Sequence, residues 1–182
     1  MQKDNKQLIG VWTQAVGTVV AAIGSTPSVP IDNSGKTGLQ LVGNILQAGG
    51  NGLEADAQEE LTYGKLGNII QATGNLTVSM GLTIDFPEDT NEKLIITGDF
   101  TQALGALTAL GSADRLYLSV GNLLQAAGNS LQAVGGIREL QDESHYSAYE
   151  ENNNEDIIAL GSWIQAIGTI IIAIGVTDEW IK

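Results

Sequence analysis

The chain has 182 residues, 43% hydrophobic and 16% charged, which is enough for one domain with a core and unlike a disordered polymer. Its net charge of −13, from 21 acidic residues against 8 Lys and Arg, leaves few cations to meet phosphates and excludes nucleic acid as a partner. With no cysteine, disulfides and thiolate zinc sites are ruled out.

One pattern, G-x-x-x-Q-A-x-G, recurs along the chain: GVWTQAVG from Gly10, GNILQAGG from Gly43, GNIIQATG from Gly67, GDFTQALG from Gly98, GNLLQAAG from Gly121 and GSWIQAIG from Gly161. A seven-residue spacing fits two helical turns and no strand, so each copy predicts a helix. In chain order these cover 6–24, 37–60, 62–82, 91–111, 113–140 and 155–177.

Before the first helix, Lys3 and Lys6 precede an apolar run ending in Ala22-Ile23-Gly24, a layout shared with signal peptides. The last copy repeats this run almost residue for residue, so it reads as a repeat unit made in the cytoplasm with no convincing signal. At the second helix, SGKTG (Ser34 to Gly38) ends like a phosphate-binding loop, but Pro30 stands where the earlier Gly is required. After the third, LTIDFP from Leu82 to Pro87 alternates and predicts a short extended stretch. Asp89-x-x-Glu92 reads as a capping box for the fourth helix, Ser112 as a cap for the fifth, and Asn153 and Asn154 for the sixth. The segment of about 141–154 is a solvated acidic linker; it carries the only histidine, His145, and no metal-ligand spacing supports a site there.

On a helical wheel the apolar positions three, four, seven and eleven share one arc, from about 180° to 300°. The glycines lie on its shoulder as a seam: Gly10, Gly17, Gly43, Gly50, Gly67, Gly74, Gly98, Gly105, Gly121, Gly128, Gly161 and Gly168. Each mid-helix Gly costs roughly 1 kcal/mol against Ala, so the seam implies close helix contact that offsets the loss. The later glycines Gly24, Gly81, Gly135 and Gly175 read as helix C-caps. The repeated glutamines Gln14, Gln47, Gln71, Gln102, Gln125 and Gln165 stand beside the seam, where an amide bonds across a helix contact. Trp12 and Trp163 sit in the middle of the apolar arc and read as core.

The expected fold is all-α: a six-helix antiparallel bundle in a single domain, 1–182, built from glycine-seamed repeats. On these six copies the chain resembles repetitive glycine- and glutamine-bearing proteins of unknown function from spore-forming bacilli. The resemblance implies a bacterial source, with spore or cell-surface association open, and supplies no activity. No nucleophile, cofactor motif or metal cluster is present, so no catalysis, cofactor or metal is expected. The favoured role is structural, a self-associating homo-oligomer or higher assembly. The alternative is a membrane-inserted or membrane-active glycine-zipper protein: Ile157 to Thr177 is charge-free, yet acidic residues flank it at both ends.

Overall fold

A computed structural model describes residues 3–142 and 151–182; the linker residues from 143 to 150, His145 among them, lie outside the described residues. Six helices follow one another: α1 (Lys3–Ser25), α2 (Asn33–Ala57), α3 (Tyr63–Thr83), α4 (Glu88–Ala109), α5 (Leu116–Asp142) and α6 (Glu151–Ile181). A 3-10 turn, Leu110–Ser112, follows α4, and no strand occurs among the described residues. The chain is an all-α helical bundle.

Local chemistry sets the helix starts. The Asp32 carboxylate accepts from Gly35 N at 2.9 Å and caps α2, which places Ser34 to Gly38 in the first helical turn rather than in a loop. Thr62 Oγ1 accepts from Lys65 N at 3.0 Å and caps α3. The expected capping box at Asp89 and Glu92 is not used. Pro87 occupies the cap of α4 with no side-chain bond, because its ring already fixes the φ that leads into the helix. Ser112 likewise caps nothing in α5: its hydroxyl accepts from Gly64 N at 3.0 Å, tying the α4–α5 turn to the start of α3. Asn153 and Asn154 are already helical in α6. The LTIDFP segment is divided, with α3 running to Thr83 and Ile84 extended at its C-cap.

Short connections make successive helices antiparallel, and each packs on the next, with α6 returning to α1. The tightest packing lies within the hairpins α1/α2, α3/α4 and α5/α6, so the bundle is a closed ring of three hairpins. Gly24, Gly81 and Gly135 are not C-caps. They lie inside helices against the partner of the hairpin: a Cβ at Gly24 would stand 2.7 Å from Lys36 O, and one at Gly81 2.8 Å from Asn91 O. Gly175 is also interior, seated under the Tyr117 ring, and no glycine has positive φ among the described residues. The close approach therefore runs nearly the whole length of each hairpin, which a capping role at its end would not need.

Candidate functional site

The ring turns its faces opposite to the expected sense. The apolar arc points outward: Trp12 is 42% exposed, and Val16, Ile45, Leu76, Leu104, Leu123 and Ile167 are each more than half exposed. The interior takes the glycines and positions two, five and nine of every repeat, which are polar except at Val11 and Ala106. The physical reason is the seam itself. Once helix backbones touch through glycine, the interior is too narrow for branched side chains, and small residues and slender amides fill it.

All twelve seam glycines pair across hairpins. A Cβ at Gly10 would stand 2.9 Å from Gly50 O, at Gly17 2.7 Å from Gly43 O, at Gly67 2.6 Å from Gly105 O, and at Gly74 2.7 Å from Gly98 O. The third hairpin repeats this with Gly121 2.7 Å from Gly168 O and Gly128 2.5 Å from Gly161 O. Each pair joins the first glycine of one repeat to the second of its neighbour, as antiparallel helices require.

Between these pairs the repeated glutamines converge on the axis, every one 4% exposed or less. They form two triads. On the odd helices, Gln14 Nε2 donates to Gln125 Oε1 at 3.2 Å and to Gln71 Oε1 at 3.5 Å, and also to Asn51 Oδ1 at 3.0 Å. On the even helices, Gln165 Nε2 donates to Gln47 Oε1 at 2.9 Å and Gln102 Oε1 at 3.1 Å. A shared amide network of this kind holds three hairpins in one register, because every member needs the others to be satisfied.

The α1–α6 contact closes the ring. The hydroxyls of Thr18 and Thr169 meet at 2.7 Å inside. Outside, Trp12 Nε1 donates to Thr177 Oγ1 at 2.9 Å, and Trp163 Nε1 donates to Thr26 Oγ1 at 3.0 Å. The indoles are thus half-exposed latches over the groove between the first and last helices, not core. Val11, Ala15, Ile172, Ala173 and Val176 form the one apolar core cluster among the described residues, beneath that seam.

Charge is confined to the helix ends and to the inside. Lys6, Asp56, Lys65 and Arg115 mark the end that carries the termini, and Lys36, Lys93 and Arg138 the other; among the described residues, outward positions between them carry no charge. The Lys6 ammonium, hydrogen-bonded to Asp56, holds that carboxyl below its ordinary range. The helices spanning Asp4–Ser25, Asp89–Ser112 and Asn154–Ile181 are long and apolar enough to cross a membrane. On the other three, the residues that lower hydropathy, such as Asn44, Asn51, Asn68, Asn75 and Asn129, face inward.

The residues that the sequence did not single out are inward Asp99, Asn44 and Gln132, and Glu54 near the terminal end. For Asp99 and Asn44 the signal is the polarity of position two; Glu54 and Gln132 both stand at position twelve. No curated protein and no solved structure matches the chain. A family model matches residues 5–177, and the chain belongs to that family, DUF6944, a family of unknown function.

Proposed function

We propose that the protein is an integral membrane protein of structural type: a glycine-zipper bundle that spans the bilayer as a closed ring of six helices, without catalytic activity. The observation that carries this reading is the reversal of polarity, with amides on the axis and a charge-free apolar belt outside. Water is a poor solvent for that exterior, which carries exposed large apolar side chains on all six helices. Lipid is a good one. A helix of about 20 residues at 1.5 Å each matches the ~30 Å hydrocarbon core. Every backbone group in the belt is satisfied within its helix, as a bilayer demands. Packing through small residues, with side-chain amides as interhelical glue, is how helices associate where the hydrophobic effect between them is absent.

The acidic flanks of α6 do not oppose spanning, since they lie beyond the belt at the ends of the bundle. Expression of the full chain followed by alkaline carbonate washing of the membranes tests this. The protein is expected in the washed pellet, released by detergent alone. Recovery as a soluble, helical assembly in buffer would overturn it and favour association of copies through the same apolar belt.

A further inference from the structure

Toward the end of the bundle away from the termini, the axis opens from the glutamine layer into a cavity of about 90 Å³. Its polar lining is Ser25 of α1, Gln40 and Asn44 of α2, Glu92 and Asp99 of α4, and Gln132 and Glu139 of α5, and no Lys or Arg lines it. At a water's share of about 30 Å³, the space suits a few waters or one partly hydrated ion.

Two independent observations point to a ligand. Asp99 is 7% exposed and faces this cavity, yet among the described residues its carboxylate accepts no hydrogen bond and meets no cation. The corresponding residues of the other repeats are Val11, Asn44, Asn68, Asn122 and Ser162, so a carboxylate is not needed there for packing. An isolated buried charge is costly, so this carboxyl either takes up a proton or is met by a cation.

The second observation is how the amides are turned. Asn44 Nδ2 donates to Gln40 O at 2.9 Å, and Gln40 Nε2 donates to Gly24 O at 3.3 Å. Because a backbone carbonyl only accepts, these orientations are fixed by chemistry, and the oxygen of each amide is the atom left over. One turn deeper on α3, Asn75 is spent the same way: its Nδ2 donates to Gln71 O at 3.0 Å, and its buried Oδ1 has no donor. The lining itself sets these amide oxygens beside carboxylates with no Lys or Arg, which suits a cation and repels an anion. No group of three carboxylate or imidazole residues gathers to hold a metal among the described residues. Of the three carboxylates lining the cavity, Glu92 and Glu139 have interaction partners of their own, which leaves the Asp99 carboxylate with neutral oxygens to balance a single positive charge.

We propose that this cavity binds a small monovalent cation, with the Asp99 carboxylate as its charged ligand and the amide oxygens of Gln40 and Asn44 as neutral ones. The site rests on interior geometry and not on the bilayer reading. Its test is thermal unfolding of the purified full chain, in detergent or in buffer as its solubility dictates, titrated with NaCl, KCl or N-methylglucamine chloride at constant ionic strength. Binding to the folded state alone raises the transition temperature in a saturable way. The expected result is such a rise with Na⁺ or K⁺ and none with the large organic cation. Asp99→Asn, which installs the side chain that three other repeats carry here, should abolish the dependence. Asn44→Ala should raise the half-saturating concentration several-fold, a second reading should Asp99→Asn prove unstable. Equal responses to the three salts, as a protonated Asp99 would give, overturn the proposal, and so does an ion-specific rise that persists in Asp99→Asn. Carbonate washing decides the bilayer question separately, so the two failures are distinguishable.

Discussion

Gln14 and Gln125, separated by 111 positions in the chain, are joined by a 3.2 Å hydrogen bond on the bundle axis. The same Gln14 amide serves Asn51 and Gln71, so one side chain links all three hairpins. Gln14→Leu removes the donor and strands acceptors that are otherwise closed to solvent, at about 1 to 3 kcal/mol for each one left unpaired. Gln14→Glu should be worse, because it places a carboxylate against other acceptor oxygens. Unfolding of the purified protein measures both. A Glu variant as stable as the parent would mean a hydrated axis.

Glycines at adjoining repeat positions should respond with opposite signs according to the face they occupy. A Cβ at Gly128 would lie 2.5 Å from Gly161 O and 2.6 Å from Gln165 N, both backbone atoms that cannot rotate away. Gly128→Ala should therefore destabilise, and Gly128→Leu more so, by an overpacking cost of roughly 1 to 3 kcal/mol or above. At Gly49 nothing lies within 4 Å, so Gly49→Ala should stabilise by up to about 1 kcal/mol through helix propensity alone. Melting temperatures that move in the same direction at both positions would contradict the seam.

Ile167 is 51% exposed near the middle of the outer belt of α6. In a water-soluble protein, Ile167→Lys at such a site changes stability by no more than about 0.5 kcal/mol. In a bilayer the same ammonium costs roughly 2.5 to 3.5 kcal/mol at the helix centre. Loss of the variant from the membrane fraction is expected, and unchanged yield and stability would speak against lipid on this face.

In the proposed spanning bundle an even number of crossings puts both termini on one side. Lys6, Lys65, Arg115 and Lys182 cluster at that end against Lys36, Lys93 and Arg138 at the other, a bias that in a bilayer would orient the termini toward the cytoplasm. The chain has no native cysteine, so Ser28→Cys and Glu60→Cys supply single reporters at opposite ends. An impermeant maleimide applied outside intact cells should label position 28 and spare position 60. The reverse pattern would invert the orientation, and labelling of both would exclude a spanning bundle.

The glycine spacing made six helices and their pairing legible, because a seven-residue repeat leaves no other periodicity and a costly residue so often repeated implies contact. It also placed the glutamines beside that contact. Which arc faces inward was not legible. Hydrophobic periodicity separates two faces of a helix without saying whether water or lipid lies outside, so Trp12 and Trp163 were assigned to a core they do not enter. Gly24, Gly81 and Gly135 were read as caps because each ends an apolar run, although the packed hairpin continues past them. Asp99 carried its signal in one substitution within a polar column, visible only when the repeats are aligned on each other.

The central claim, apolar side chains outward in lipid around an amide axis, is tested most directly by the tryptophans. Trp180→Phe leaves Trp12 and Trp163 as the reporters, both on the outer face of the α1–α6 groove and each 40% exposed or slightly more. The variant is reconstituted into vesicles with and without brominated acyl chains and titrated with aqueous iodide. Strong quenching by brominated lipid with resistance to iodide is the expected result. Quenching by iodide with no response to brominated lipid would place the apolar belt in water, and the account of this fold as an inverted, lipid-facing bundle would be wrong.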